Sequence, residues 1–188
     1  MRTATLIVFV LMVLSAVTVS AQTTPYIAVY FDQTYTTEAL IPPPGQSCPG
    51  VGPGFPGKLY IALSNANMFV VGVEFAVAYP PEIVHVADFD TQPVTIGNTA
   101  SGLSMAWANP QNGFSAVYIC GVDFFWNCDG CTSTDIPMPV VVHPVSGVIE
   151  WVDFPGYVNH PAVGLTSLIC ATIPAEETTW GKVKALYE

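Results

Sequence analysis

The sequence predicts an all-β domain, a two-sheet antiparallel β-sandwich of jelly-roll type with about eight or nine strands. Three observations predict it. Helical periodicity is nearly absent. Short runs rich in Val, Ile, Tyr and Phe recur along the chain. Pro, Gly, Asn and Asp separate those runs, as the turns of a sandwich or barrel require.

The elements follow in order. Residues 26–31 predict the first strand. Residues 41–57 carry Pro42, Pro43, Pro44, Pro49, Pro53 and Pro56 among five glycines. Proline lacks the ladder N–H and glycine loosens the backbone, so this stretch predicts a long loop. Residues 58–64 predict a strand, and Asn65-Ala66-Asn67 turns the chain. Residues 70–79 predict a strong strand. Val71, Val73, Phe75, Val77 and Tyr79 fall on one face, Gly72, Glu74, Ala76 and Ala78 on the other. Pro80-Pro81 ends it. Residues 83–89 follow, with Ile83, Val84 and Val86 available to the core.

Residues 98–102 predict a turn, and residues 103–108 and 114–125 predict strands. Asn112-Gly113 between them reads as a hairpin signal. Residues 140–143 and 148–154 flank the turn Pro144-Val145-Ser146-Gly147, and residues 163–173 form a last apolar run. After Thr179, the spacing of Trp180, Val183 and Tyr187 fits a short helical turn, and a final strand or a loose tail fits equally.

The ends define the organisation. Arg2 gives a positive start, residues 6–14 are unbroken apolar, and Val19-Ser20-Ala21 supplies small residues before Gln22. That order predicts a cleavable secretory signal peptide over residues 1–21. The apolar stretch is at the short edge of a membrane span, which needs roughly 20 residues. No later stretch is long enough to span. Residues 22–175 then form one domain, and residues 176–188 a C-terminal tail. A domain of this size buries roughly 70% of its unfolded surface and folds without obligatory metal or disulfide.

Charge narrows the partners. All 14 acidic residues lie after residue 21, against Lys58, Lys182 and Lys184, so the mature chain carries −11. Such a surface repels phosphate backbones and anionic membranes. Nucleic acid is therefore not an expected partner. The chain contains no Asn-x-Ser/Thr sequon, which fits a bacterial exported protein.

Five cysteines follow the signal segment: Cys48, Cys120, Cys128, Cys131 and Cys170. Export places them where disulfides persist. Two bonds and one free thiol leave about 15 pairings open. Cys128 and Cys131 can close locally across the Asp129-Gly130 turn. A redox CxxC belongs at a helix start in a βαβ setting, and a zinc site needs a second ligand pair. The sequence offers neither, so a structural disulfide or an inert pair is the reading for Cys128 and Cys131.

Residues 59–65, Leu-Tyr-Ile-Ala-Leu-Ser-Asn, and residues 71–89, Val-Gly-Val-Glu-Phe-Ala-Val-Ala-Tyr-Pro-Pro-Glu-Ile-Val-His-Val-Ala-Asp-Phe, resemble the start of cohesin-like domains. These domains group with cellulose-binding-type β-sandwiches. Trp107-Ala108-Asn109-Pro110 before the next strand is similar to their middle. The resemblance implies a nine-stranded sandwich used for binding, with no catalytic centre. It transfers no ligand, since cohesins bind dockerin modules and their relatives bind polysaccharide. Pro80 stands where such domains usually carry an acidic residue, and the Pro/Gly loop and cysteine cluster look like additions.

Catalytic chemistry finds little support. No Gly-x-Ser-x-Gly elbow exists, the histidines are only His85, His143 and His160, and His85 and His143 read as surface or edge residues. Asp123, Glu150 and Asp153 are conceivable as a carboxylate pair for glycoside hydrolysis, with Trp126 and Trp151 stacking on a sugar. Acidic residues must also occupy the outer faces, so no catalytic residue is assigned. Asp88 and Asp90 point the same way on a strand, but two carboxylates are too few for calcium. No metal or cofactor is expected.

Sugar binding asks only for exposed aromatics beside polar groups. Trp107, Phe124, Trp126, Trp151 and Tyr157 are the candidates, with Trp126 expected to be the most exposed because it adjoins the cysteine loop. The leading reading is a secreted or cell-surface module, non-catalytic, that binds an extracellular protein or polysaccharide. The alternatives are a structural subunit of a surface assembly and a secreted hydrolase. Exposed aromatics in a row on one sheet face favour carbohydrate. A flat apolar face favours a protein partner. A cleft with paired carboxylates of raised pKa favours an enzyme.

Overall fold

The computed structural model describes residues 24–35, 39–40, 56–127 and 135–169. The expected signal peptide, the tail, and Cys48, Cys128, Cys131 and Cys170 lie outside these residues. The described residues form strands and turns with no helix.

The strands are β1 (Tyr26–Tyr30), β2 (Ala39–Leu40), β3 (Pro56–Ser64), β4 (Phe69–Val77), β5 (Ile83–Phe89), β6 (Val94–Asn98) and β7 (Gly102–Asn112). They continue as β8 (Val117–Trp126), β9 (Ile136–Val141), β10 (Glu150–Phe154), β11 (Asn159–Pro161), β12 (Val163–Gly164) and β13 (Thr166–Ile169). The count exceeds the eight or nine expected because β2, β11 and β12 are only two or three residues long and β6 was not expected.

One sheet runs β12-β1-β3-β8-β5. The other runs β11-β10-β4-β9-β13-β2, with β7 paired to β4 and β6 to β7. Ile61, Leu63, Ile119 and Val122 of the first sheet and Phe75, Leu103, Met138 and Trp151 of the second share one buried core. This is the all-β sandwich that the alternating runs predict.

Three local expectations are corrected. Asn112-Gly113 does not close a hairpin. β7 pairs with β4 and β6, whereas β8 pairs with β3 and β5, so this turn carries the chain from one sheet to the other. The Gly113 carbonyl instead accepts from the Asn67 N–H at 2.9 Å. In β4 the simple alternation fails at Val71. The ladder with β7 shifts between Val70 and Gly72, so Val70 and Val73 both enter the core and Val71 turns outward. In β5 a second shift between His85 and Ala87 leaves Val84 and Val86 exposed, and only Ile83 is buried. Residues 94–98, not assigned from the sequence, form β6 at the rim of the larger sheet.

Candidate functional site

The outer face of the larger sheet carries a trough of about 550 Å³. Its shape follows from which residues the registers bring side by side. One row across five strands reads Val94, Ala106, Gly72, Val152 and Asn159. The neighbouring row reads Ile96, Ser104, Glu74, Glu150 and Pro161. In the first row the second and third positions are Ala106 and Gly72, so the middle of that row has almost no side chain. Val94 and Ile96 rise on the β6 side, and Val152, Phe154 and Tyr157 rise on the other.

The β6 wall is the most exposed apolar feature of the site. Val94 is 61% and Ile96 73% exposed. Strand edges are normally guarded by charge, proline or a bulge, and β6 reads Val-Thr-Ile-Gly-Asn with no charge and no proline. The alternation of Val94 and Ile96 about Thr95, between Pro93 and Gly97, is the sequence signal for this wall.

The polar part of the trough is acidic. Glu150 stands directly opposite Glu74. The Glu150 carboxylate accepts from Asn159 Nδ2 at 2.7 Å, and Glu74 Oε1 lies 3.2 Å from His143 Nδ1.

The aromatic candidates separate. Trp126, Trp151 and Trp107 are buried, as is Phe124, and the expected exposure of Trp126 is corrected. Trp126 lies at the end of β8, where its ring meets Phe124 edge to face at 5.2 Å inside the core. Trp151 faces inward from β10 and stacks on His160 at 4.5 Å. Trp107, 7% exposed, also borders the trough. Tyr157 alone is exposed, on the turn after β10.

The carboxylates considered for chemistry do not converge. Asp123 pairs with Lys58 at 2.8 Å on the outer face of the smaller sheet. Glu150 lines the trough, and Asp153 points inward, where it accepts from the Val158 N–H at 2.6 Å. Asp88 and Asp90 also part company. Asp88 accepts from the Thr99 N–H and hydroxyl, both at 2.7 Å, and pairs with His85 Nε2 at 2.8 Å. Asp90 accepts from the Tyr118 hydroxyl at 3.2 Å. Among the described residues no three His, Cys, Asp or Glu side chains cluster as metal ligands.

The histidines are less exposed than expected. His143 is buried beneath the turn before β10, and His85 is tucked between Asp88 and the Tyr79 ring. Burial holds the Tyr79 hydroxyl and the Cys120 thiol well above their usual ranges, so both are neutral near pH 7.

No protein-family model and no curated protein sequence matches the chain. Solved structures do. The Clostridium acetobutylicum cohesin CaCohA2, in complex with CaDoc0917, superposes with a TM-score of 0.50 at 14% identity, over 79% of this chain and 100% of that one. A non-cellulosomal cohesin from the archaeon Archaeoglobus fulgidus gives 0.47 at 14% identity, over 85% and 98%. The sixth cohesin of Acetivibrio cellulolyticus scaffoldin B, in complex with a Cel5 dockerin, gives 0.47 at 10% identity, over 80% and 100%. The chain folds as a cohesin-like β-sandwich.

Proposed function

We propose that this chain is an exported, non-catalytic binding module that takes a protein partner in the trough on the outer face of the larger sheet. The observation that carries the reading is the β6 wall. Val94 and Ile96 stand exposed beside a floor kept open by Gly72 and Ala106. Exposed contiguous apolar surface of this kind marks interaction sites. From β6 to β10 the trough spans three strand spacings, about 14 Å. That width admits a helix of about 10 Å diameter. Glu74 and Glu150 on the floor favour a partner that adds Lys or Arg to its apolar face. The reading is supported by the fold, since CaCohA2 was crystallised as a complex with CaDoc0917.

Export rests on residues 1–21, and N-terminal sequencing of the product recovered outside the cell is expected to begin at Gln22. The binding reading is tested by pull-down from the source organism's secretome with wild type and with Ile96→Asp. Ile96→Asp places a charge on the wall without touching the core. One strong partner captured by wild type and lost with Ile96→Asp supports the trough. Capture that survives Ile96→Asp moves the site elsewhere.

A further inference from the structure

A second exposed feature begins at the trough wall, with Phe154 and Tyr157, and extends past it at one end of the same sheet face. Four aromatic side chains from three chain segments stand side by side as two ring pairs. Phe69 opens β4 and stands opposite Phe154 of β10. Phe114 meets Phe69 at 6.0 Å, and Tyr157 meets Phe154 at 5.7 Å, each outer ring at 88° to its inner neighbour. Their exposures are 67% for Phe114, 45% for Phe69, 36% for Phe154 and 66% for Tyr157. Aromatic side chains normally bury most of their area, so four adjacent exposed rings need a reason.

The backbone that carries each outer ring is held in place. The Tyr157 backbone sits at φ 52°, a conformation that non-glycine residues seldom adopt. The buried Asp153 fixes it: its carbonyl accepts from the Tyr157 N–H at 3.1 Å, and its carboxylate from the Val158 N–H. At the other end, Asn112 Oδ1 accepts from the Phe114 N–H at 3.1 Å. The backbone beneath both rings is thus fixed before any ligand arrives, which lowers the ordering cost of binding.

Charge decides what the strip fits. Residues 65–73, 99–122 and 154–159 contain no Asp, Glu, Lys, Arg or His, in a chain with 14 acidic residues. The polar side chains next to the rings in register or sequence include the amides Asn112 and Gln111 and the Ser115 hydroxyl, all uncharged. A basic protein surface finds its counter-charges in the trough, at Glu74 and Glu150, and none on the strip. A polyanion is repelled by the whole chain. An uncharged, hydroxyl-bearing polymer matches both the rings and the amides, since its C–H faces pack on aromatic faces and its hydroxyls exchange hydrogen bonds with amides. We propose that Phe114, Phe69, Phe154 and Tyr157 form a binding strip for a neutral polysaccharide, sharing Phe154 and Tyr157 with the trough wall and extending beyond it through Phe69 and Phe114.

Affinity electrophoresis of the full chain tests this, in gels containing hydroxyethyl cellulose, arabinoxylan, glucomannan or, as the anionic control, polygalacturonate. The expected result is retardation by at least one neutral polymer and none by polygalacturonate. Phe114→Ala and Tyr157→Ala are each expected to weaken the retardation about tenfold, with unchanged thermal unfolding. Ile96→Asp is expected to leave it intact, which separates this proposal from the trough. No retardation of wild type by any neutral polymer overturns the proposal. So does retardation that ignores both aromatic variants. Loss of a secretome protein partner on Phe114→Ala, with no polysaccharide binding, assigns the strip to the protein interface instead.

Discussion

Glu150 lies directly opposite Glu74 across the antiparallel pair of β10 and β4, on the floor of the trough. Like charges in that relationship cost roughly 0.2–1 kcal/mol. Glu150→Gln keeps a side chain of the same shape and removes the repulsion. Urea denaturation near pH 7 is expected to show the variant more stable by a few tenths of a kcal/mol, up to about 1. The same change is expected to weaken capture of a basic partner, the usual exchange of stability against function at a binding site. A variant that is less stable than wild type refutes the repulsion argument.

Gly72 keeps the trough open. A Cβ placed there lies 3.4 Å from the Met105 carbonyl and 3.4 Å from Val152 Cγ2, which is ordinary contact. Gly72→Val is therefore expected to fold, with stability within about 1 kcal/mol of wild type, since strands favour β-branched residues. Its side chain fills the floor. Titration of the captured partner is expected to give at least about a tenfold weaker affinity.

Trp126 is a core residue. Truncation to Ala removes a ring that is 5% exposed and packed edge to face on Phe124. The expected loss is about 3–5 kcal/mol of folding free energy by chemical denaturation. Loss of less than about 1 kcal/mol would place the ring outside the core.

Asp88 ties three segments together through two bonds from Thr99 and one from His85, and Tyr79 joins through the Thr99 hydroxyl at 2.7 Å. An amide in its place offers one oxygen where the carboxylate offers two, and turns an NH2 toward a donor. Asp88→Asn is expected to cost about 1–3 kcal/mol. Hydrogen exchange should locate the loosening at Thr99 and its neighbours.

Cys120 gives a stability slope at alkaline pH. Burial, followed by the nearby Asp88 and Asp90 charges, raises its thiol in the folded state. Above about pH 8.5 the unfolded thiol loses its proton while the folded one keeps it. Unfolding then releases a proton, so stability falls as pH rises. Tyr79 and Tyr118, also raised by burial, steepen the fall above about pH 10. Unfolding free energies measured from pH 7 to 10 are expected to decline in wild type and to decline less in Cys120→Ala. Parallel profiles for the two would remove Cys120 as the cause.

The sequence by itself determined the all-β class, the cohesin-like resemblance and most strand positions, because alternation of large apolar residues and the placing of Pro, Gly and Asn are local properties. Residues 83–89 were legible to the residue as β5. The acidic balance was equally legible. Tertiary structure decided what local pattern could not. Asn112-Gly113 has the same composition whether it closes a hairpin or crosses between sheets, and the pairing partners of β7 and β8 settle which. Bulges at Val71 and after His85 change which side chains face the core, and a period-two reading does not register an inserted residue. The site was the least legible part. Its floor exists because register sets Gly72 beside Ala106, and its strip because Phe69, Phe114, Phe154 and Tyr157 meet from three distant segments. The tryptophans that looked available to a ligand are buried, because the largest apolar side chains gain most from the core.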